Sequence, residues 1–534
     1  MLAEVFFIYT LEIRNLYMEY GGKTLFDIER LDAYTEDRIG IIGANGAGKT
    51  TLIEIICGKI VPVKGTAEVK VPLCYVPQLE EDTGGAMSDI SGAEWNVPEE
   101  ARSGGEVTRK KLAQAFSTSS EILLCDEPTT NLDEAGIAQL EQSLANYQGT
   151  IIIISHDRAL LDKVCTKIWE IDGGTLSEYH GNYSDYRTQK ELARKNDWDE
   201  YEKYVAERKH LEEALSDRRA RAKSVKLPKR MGNSEARLHR QGVRESAGKV
   251  EQASTQIKRR LERLEVKDKP FEETPFKMRV AFSEEYISKT AVSVRDLSFS
   301  YGEHNVLRDI TFTMERGEHA AIAGINGSGK STLLSCIYNQ LSGVRIANGA
   351  RIGYFRQDLG NLDETKTVLQ NVRRESGLPE HMIRTVLGRL GIRRDEVFKK
   401  VGVLSGGERC KVSLAQLICG GYPILLLDEP TNYLDIFVLE ALEDMLSDFD
   451  GTVLLVSHDR YFRQRIAQRE LVIKNGRIMT EEKPAPANPK TQDKLLLEME
   501  KADIVSRMAY PRKGDDRETL EARYSEVCAL LNEL

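Results

Sequence analysis

Two kinds of apolar pattern run along this chain. The first is the short unbroken run: Arg38-Ile39-Gly40-Ile41-Ile42, Ile122-Leu123-Leu124-Cys125, Thr150-Ile151-Ile152-Ile153-Ile154, Ile424-Leu425-Leu426-Leu427 and Thr452-Val453-Leu454-Leu455-Val456. Runs of strand length without a polar position leave no face for water, so they predict buried parallel strands of an α/β fold. The second is a sparse stripe on a charged background. Leu192, Trp198, Tyr201, Tyr204 and Val205, then Leu211 and Leu215, recur at helical spacing; the stripe restarts at Leu238 and resumes through Ile257, Leu261 and Leu264. It predicts two antiparallel helices that pack through a narrow seam. Pro228 and Gly232 break the pattern between them. Arms of about 35 residues would each reach about 50 Å. A last stripe, Leu495, Leu496, Leu497 and Met499, then Leu520, Tyr524, Val527, Leu530 and Leu531, predicts a C-terminal helical pair after the Pro-rich stretch 483–489.

The unbroken runs come in matched sets. Tyr20 and Tyr301, like Lys49 and Lys330, stand 281 residues apart, whereas Ser103 and Ser405, Glu127 and Glu429, and His156 and His458 stand 302 apart. A constant offset on either side of one step means a duplicated domain of about 190 residues with an insertion in the second copy. The step falls between Gln357 and Ser405, a gap of 48 residues against 25 between Gln78 and Ser103. The expected domains are residues 1–185 and 286–482 for the two copies, 186–285 for the helical linker and 483–534 for the extension.

Each copy carries the pattern G-x-x-x-x-G-K-[ST], as Gly43-Ala44-Asn45-Gly46-Ala47-Gly48-Lys49-Thr50 and as Gly324-Ile325-Asn326-Gly327-Ser328-Gly329-Lys330-Ser331. Strand before and helix after are what this phosphate-binding loop requires. Its glycines let backbone N–H groups close on phosphates, the lysine brings a charge to the outer phosphates, and the hydroxyl serves Mg2+. Thr51 and Thr332 follow directly and join the cofactor-binding set. The runs at 122–127 and 424–429 end in paired carboxylates. Asp126 and Asp428 are expected to steady Mg2+, and Glu127 and Glu429 to orient and deprotonate the attacking water. His156 and His458, at the ends of the next strands, fall where an imidazole could touch the terminal phosphate. A Ser-His-Asp string in sequence is not a hydrolase triad, which needs neighbours in space.

Composition narrows the setting. No apolar run approaches the length of a membrane span, and Val5-Phe6-Phe7-Ile8-Tyr9 lacks the basic lead and cleavage site of a signal peptide. Eight cysteines without C-x-x-C spacing, Cys74 and Cys125 among them in apparent core strands, suggest reduced thiols in a cytoplasmic protein. The net charge of −9 hides a segregation: residues 218–249 hold eleven Lys/Arg against two Asp/Glu, so that segment carries +9 and the remainder −18. A charge-rich helical pair could be a spacer or a protein-binding coiled coil. The one-sided sign favours phosphate backbones and folded RNA, while the lack of aromatics there argues against single-strand stacking.

Ser103-Gly104-Gly105-Glu106 and Leu404-Ser405-Gly406-Gly407-Glu408 resemble the signature of ATP-binding-cassette ATPases. Gln78 and Gln357 resemble the Q-loops of that family, which also attend the metal; Tyr20 and Tyr301 resemble its adenine-stacking aromatics, and Asn131-Leu132-Asp133 and Asn432-Tyr433-Leu434-Asp435 its D-loops. Two cassettes and a long charged linker without a membrane domain resemble the ABC-F subfamily of ribosome-associated ATPases. The linker stretch 228–238 is most similar to its antibiotic-resistance members. The resemblance implies a monomer using ATP and Mg2+, with two ATPs sandwiched between the cassettes. Lys49 would face the Ser405 signature and Lys330 the Ser103 signature. It implies as partners the 70S ribosome, its 23S rRNA and the P-site tRNA, and no membrane subunit. The basic tip near 223–240 would approach the peptidyl-transferase centre, with Lys226, Leu227, Pro228, Lys229, Arg230, Met231, Arg237, His239 and Arg240 as contact candidates. Protection from lincosamides, pleuromutilins and streptogramin A would follow. A housekeeping translation factor of the same subfamily is the alternative, but the extra arm such members often carry in the first cassette is missing from the short 78–103 interval. One departure is Arg102, which stands where the second signature has Leu404.

Overall fold

A computed structural model describes residues 9–77, 104–118, 120–130, 132–224, 252, 254–269, 288–356, 361–432 and 434–481. They form two compact units. The first contains β1 (Tyr9–Tyr20), β2 (Lys23–Tyr34), β3 (Arg38–Gly43), β4 (Lys64–Val69), β5 (Leu73–Val76), β6 (Ile122–Asp126), β7 (Thr150–Ile154), β8 (Lys167–Asp172) and β9 (Thr175–His180). Its six-stranded sheet has the order β5-β6-β7-β3-β8-β9, parallel except for the β8–β9 hairpin, and a second, antiparallel sheet runs β2-β1-β4.

The second unit contains β10 (Thr290–Tyr301), β11 (His304–Glu315), β12 (His319–Ala323), β13 (Val344–Ile346), β14 (Ile352–Phe355), β15 (Ile424–Asp428), β16 (Thr452–Val456), β17 (Arg469–Lys474) and β18 (Arg477–Glu481). Its sheets run β14-β15-β16-β12-β17-β18 and β11-β10-β13. Strand for strand this is the first unit again, so the repeat read from motif spacing is a repeat of topology. Between β14 and Ser405 the second copy has the helices Val368–Arg373 and Glu380–Arg389 with two short 3-10 turns.

The unbroken runs are buried on both faces for a visible reason. Along β6, Ile122 and Leu124 enter one core and Leu123 and Cys125 the other; along β7, Ile152 and Ile154 divide from Ile151 and Ile153 in the same way. One core is closed by the antiparallel sheet and the helix Lys49–Ile56, the other by the helices Gly104–Ser117, Glu134–Asn146 and Arg158–Val164. Period-two side chains thus feed two apolar layers, and no polar position is tolerated between them. Cys125 is buried as expected, but Cys74 is only half-buried, because β5 is the edge strand.

The linker begins with one helix of 42 residues, Tyr183–Ser224, about 60 Å long. Gly181 in the left-handed region and a reciprocal cap start it: Asn182 Oδ1 accepts from the Asp185 N–H at 3.0 Å and Asp185 Oδ2 from the Asn182 N–H at 3.1 Å. The returning segment 254–269 runs antiparallel to it. Arg260 pairs with Glu207 at 2.8 Å, Lys267 with Glu200 at 3.2 Å, and the Lys269 ammonium lies over the Trp198 ring. The seam uses Trp198, Tyr201, Tyr204, Leu211 and Leu215 from the first arm and Ile257, Leu261 and Leu264 from the second, all at least half-buried. Leu192 and Val205 do not belong to it, at 59% and 41% exposed. The seam passes from Tyr204 to Leu211 through the stem of Glu207, leaving Val205 beside it. Leu238, the basic tip and the C-terminal extension lie outside the described residues.

Leu211→Ala is therefore expected to weaken the hairpin by about 2 kcal/mol and to speed exchange of its seam amides about thirtyfold. Leu192→Ala should cost less than about 0.5 kcal/mol. Hydrogen exchange on the two variants checks the pair, and equal effects would refute this seam.

Candidate functional site

Each phosphate loop leaves the C-terminal end of its sheet's central strand, β3 or β12, and opens the helix Lys49–Ile56 or Lys330–Tyr338. Gly48 and Gly329 are the caps of these helices, with φ of 98° and 97°. A Cβ there would come within 3.1 Å of the Phe26 ring and 2.7 Å of Val306 Cγ1, so glycine is required twice over, by backbone and by space. No side chain caps either helix. First-turn N–H groups without an internal partner, at the positive end of the helix dipole, suit an anion. Lys49 and Lys330 are buried and folded onto their own loops. Their ammonium groups donate to Gly43 O and Gly324 O, both at 2.8 Å, and to Ala44 O at 3.2 Å and Ile325 O at 3.1 Å. Asn45, Gly46, Asn326 and Gly327 form the exposed crest of each loop, and Thr51 and Thr332 sit half-buried in the first helical turn.

The hydroxyl after each lysine meets the first carboxylate. Ser331 Oγ donates to Asp428 Oδ1 at 2.9 Å, and Thr50 stands beside the Asp126 carboxylate and favours its ionised form. Both aspartates are buried, and burial raises their pKa while the hydroxyl and lysine pull it back. Asp126 Oδ2 is enclosed without a hydrogen-bond partner. An alcohol oxygen beside a carboxylate with an unsatisfied oxygen is a hard donor set that fits Mg2+.

Glu127 and Glu429 have φ of 48° and 49°, a left-handed conformation uncommon outside glycine. The kink moves each glutamate onto the end of the neighbouring strand. Its N–H donates to Ile154 O or Val456 O, at 2.9 Å in both copies. Its Oε2 accepts from the N–H of His156 at 3.3 Å or His458 at 3.2 Å, and its Oε1 stands 3.2 Å from His156 Nε2 or 3.4 Å from His458 Nε2. Burial pushes Glu127 up to about 8 and Glu429 to about 7, against the pull of Lys49 and Lys330. A carboxyl poised near neutrality is suited to take a proton from water. That a glutamate closes this strand was legible in the sequence; its strained backbone was not, since no glycine marks it.

The same strand ends hold Ser155 and Ser457, which accept from the Asp157 and Asp459 N–H groups at 3.0 Å each. These serines serve the turn and do not face a base. Tyr20 and Tyr301, at the ends of β1 and β10, are 78% and 61% exposed. Ser405 caps the helix Gly406–Cys419: Ser405 N and Oγ donate to Glu408 Oε2 at 2.8 and 2.7 Å. That serine is engaged in its own helix, so an incoming phosphate would have to displace Glu408. Gly406 is exposed and Gly407 half-buried in the first turn, and Gly104 and Gly105 begin the corresponding first-copy helix Gly104–Ser117. Gln78, Gln357 and Ser103 lie outside the described residues, as do Arg102, Asn131 and Tyr433.

Two family descriptions match, both given as ABC transporter; one covers residues 28–83 and 307–432, the other, an extension, residues 169–282. Ribosome protection protein VmlR of Bacillus subtilis is 32% identical over 98% of this chain and 98% of its own length. The chain belongs to the ABC-F family. The erythromycin resistance ATP-binding protein MsrA of Staphylococcus epidermidis is 33% identical over 86% of this ABC-F chain and 97% of its own. The energy-dependent translational throttle protein EttA of Escherichia coli is 30% identical over 80% of this chain and 86% of its own. Among solved structures, an RNase-L inhibitor superposes with a TM-score of 0.59 over 91% of this chain and 93% of that one, at 19% identity, which shows the shared tandem-cassette fold. This ABC-F protein is an ATPase. Among its described residues no helix is long and apolar enough to cross a membrane.

Glu127→Gln combined with Glu429→Gln should lower ATP turnover by about 10²–10⁴-fold with nucleotide affinity little changed, since the amide keeps the shape but cannot accept the water's proton. Steady-state turnover and equilibrium nucleotide binding measure the two. The pH profile of kcat/KM, which reports the free enzyme, should fall on the acid side through about 8 to 7 as the raised glutamates take up protons. A profile flat down to pH 5 would remove these glutamates as bases.

Proposed function

We propose that this protein binds the ribosome and protects its peptidyl-transferase centre from antibiotics. In this reading the two cassettes close on two ATPs, and closure holds the basic end of the linker beside the P-site tRNA and 23S rRNA. Hydrolysis then lets the protein go. The observation that carries the reading is the end-to-end similarity to VmlR, linker included, with 98% of both chains matched. MsrA, named for erythromycin resistance, supports it over 97% of its own length.

The chemistry is assigned to the residues named above. The first-turn N–H groups behind Gly48 and Gly329, with Lys49 and Lys330, bind the phosphates. Tyr20 and Tyr301 stack on adenine. Mg2+, held by Thr50 with Asp126 and by Ser331 with Asp428, and attended by Gln78 and Gln357, supplies charge neutralisation on the phosphate oxygens. Glu127 and Glu429 take the proton of the attacking water, and His156 and His458 contact the terminal phosphate. The Ser405-Gly406-Gly407 signature completes the Lys49 site, and Ser103-Gly104-Gly105 the Lys330 site. Closure driven this way requires ATP to favour the closed state over the open one.

The linker contacts are drawn from charge: they lie in the segment 218–249 that carries +9. Lys226, Leu227, Pro228, Lys229, Arg230, Met231, Arg237, His239 and Arg240 are the proposed contacts. A second reading, a factor that throttles translation without a drug role, rests on the 30% identity to EttA.

Translation in vitro with a panel of peptidyl-transferase inhibitors separates the two. Restored synthesis on adding the protein with ATP is expected for protection, and slowed synthesis with or without drug for throttling. Alanine at residues 226–231 should abolish the restoration while ATP turnover stays within about twofold. The Glu127→Gln/Glu429→Gln protein should cosediment with ribosomes in ATP, and its absence from the ribosome pellet would overturn the ribosome reading.

A further inference from the structure

The first unit holds a buried carboxylate that its repeat lacks. Glu170, on β8, is 2% exposed. Aligned by the 302-residue offset, the matching position on β17 is Val472. Burying a carboxylate is costly unless it is paired, so the question is what Glu170 is for. Two of its partners come from the opening turns of the linker helix, and Tyr179 of β9 stands beside them. Tyr186 Oη donates to Glu170 Oε1 at 2.8 Å, and Lys190 Nζ lies 2.7 Å from Oε2. The Tyr179 ring packs edge-on against Tyr186 at 5.0 Å, and the Lys190 ammonium lies over it at 6.0 Å. Tyr183 and Tyr186 are buried in the core of the first unit.

A second contact joins the same helix to the nucleotide side. The helix Arg158–Val164 follows His156 directly and is capped by Asp157, whose carboxylate accepts from the Leu160 N–H at 3.1 Å. One turn on, the Asp162 carboxylate accepts from Ser184 N at 2.7 Å and Ser184 Oγ at 2.8 Å, both in the first turn of Tyr183–Ser224. The matching residue in the second copy is Gln464. One short helix therefore has His156, set against the Glu127 carboxylate, at one end and the root of the linker at the other.

We propose that Asp162 and Glu170 are positioning residues that transmit nucleotide occupancy at the His156 site to the linker helix, Asp162 as the moving link and the Glu170–Tyr186–Lys190 cluster as the socket that fixes the helix's rotation. A buried ion pair contributes little net stability against an apolar substitute but defines one orientation, because any other leaves a charge unpaired. A helix held only by tyrosine rings could roll; one whose Tyr186 hydroxyl and Lys190 ammonium must both reach one carboxylate cannot. The inference rests on the function proposed above only for its purpose. Its test needs no ribosome.

The full-length chain is compared with two variants, Asp162→Gln, which installs the second copy's residue, and Glu170→Val/Tyr186→Phe/Lys190→Met, which replaces the polar cluster with apolar groups of similar size. Hydrogen exchange of the amides 183–195 is followed with and without Mg2+ and a nonhydrolysable ATP analogue, alongside basal ATP turnover. In the unaltered chain the analogue is expected to change exchange in this window at least about fivefold. In both variants that response should be lost while basal turnover stays within about twofold. A variant that keeps the full response, or an unaltered chain that shows none, overturns the proposal. Tyr186→Phe alone removes one donor and keeps the packing. Should the triple variant fail to fold, an undiminished response in this single variant would equally overturn the socket. If the exchange result holds and ribosome binding fails, the coupling stands and only its assigned purpose falls.

Discussion

The organising constraint is that the central strands are covered on both faces. With apolar layers above and below, β3, β6 and β7 have no lateral position where a polar side chain can reach water. Polarity can appear only where a strand ends, and the two ends are treated differently. At the N-terminal edge it is satisfied internally: the Arg38 guanidinium donates to Leu144 O and Tyr147 O, and His319 Nε2 bonds Gly451 O. At the C-terminal edge stand Lys49, Asp126, Glu127 and His156, with Asp126 Oδ2 buried and unsatisfied. Burial thus gathers the reactive groups on one rim, and the same burial raises the glutamates toward neutrality.

What could be read from sequence followed the strength of the local signal. Unbroken runs such as 150–154 and 424–427 were legible because a strand buried on both sides has a pattern that few other elements imitate. The phosphate loops were legible because glycine spacing records backbone geometry directly. The antiparallel sheets β2-β1-β4 and β11-β10-β13 gave a weaker signal, since their strands expose one face and carry register shifts. The kinks at Glu127 and Glu429 left no trace, because a glutamate forced into the left-handed region looks like any other. The seam of the linker was read almost correctly. Counting apolar residues admitted Leu192 and Val205, and missed that a charged stem, Glu207, can occupy a seam position.

Comparison of the two copies shows where function has pulled a common scaffold apart. They share strand order, loop geometry, the hydroxyl beside the aspartate and the kinked glutamate. They differ elsewhere. The second copy has 48 residues between Gln357 and its signature serine, where the first has 25 from Gln78, and places the helices Val368–Arg373 and Glu380–Arg389 there. The first has Glu170 where the second has Val472, with the linker root packed over it.

The length of the linker makes its root the sensitive place. Over a helix of about 60 Å, a rotation of about 5° at the base displaces the far end by about 5 Å, roughly the rise of one helical turn. Contacts along the seam, such as Glu207–Arg260, keep the two arms together but cannot set the direction in which both point. Direction is decided where the helix leaves the cassette, among Tyr183, Ser184, Tyr186 and Lys190. An apolar socket alone would allow many nearly equal orientations, whereas a single buried carboxylate with two obligatory donors allows one. The energetic cost of enclosing Glu170 is therefore intelligible as the requirement for aiming a long lever from a small base.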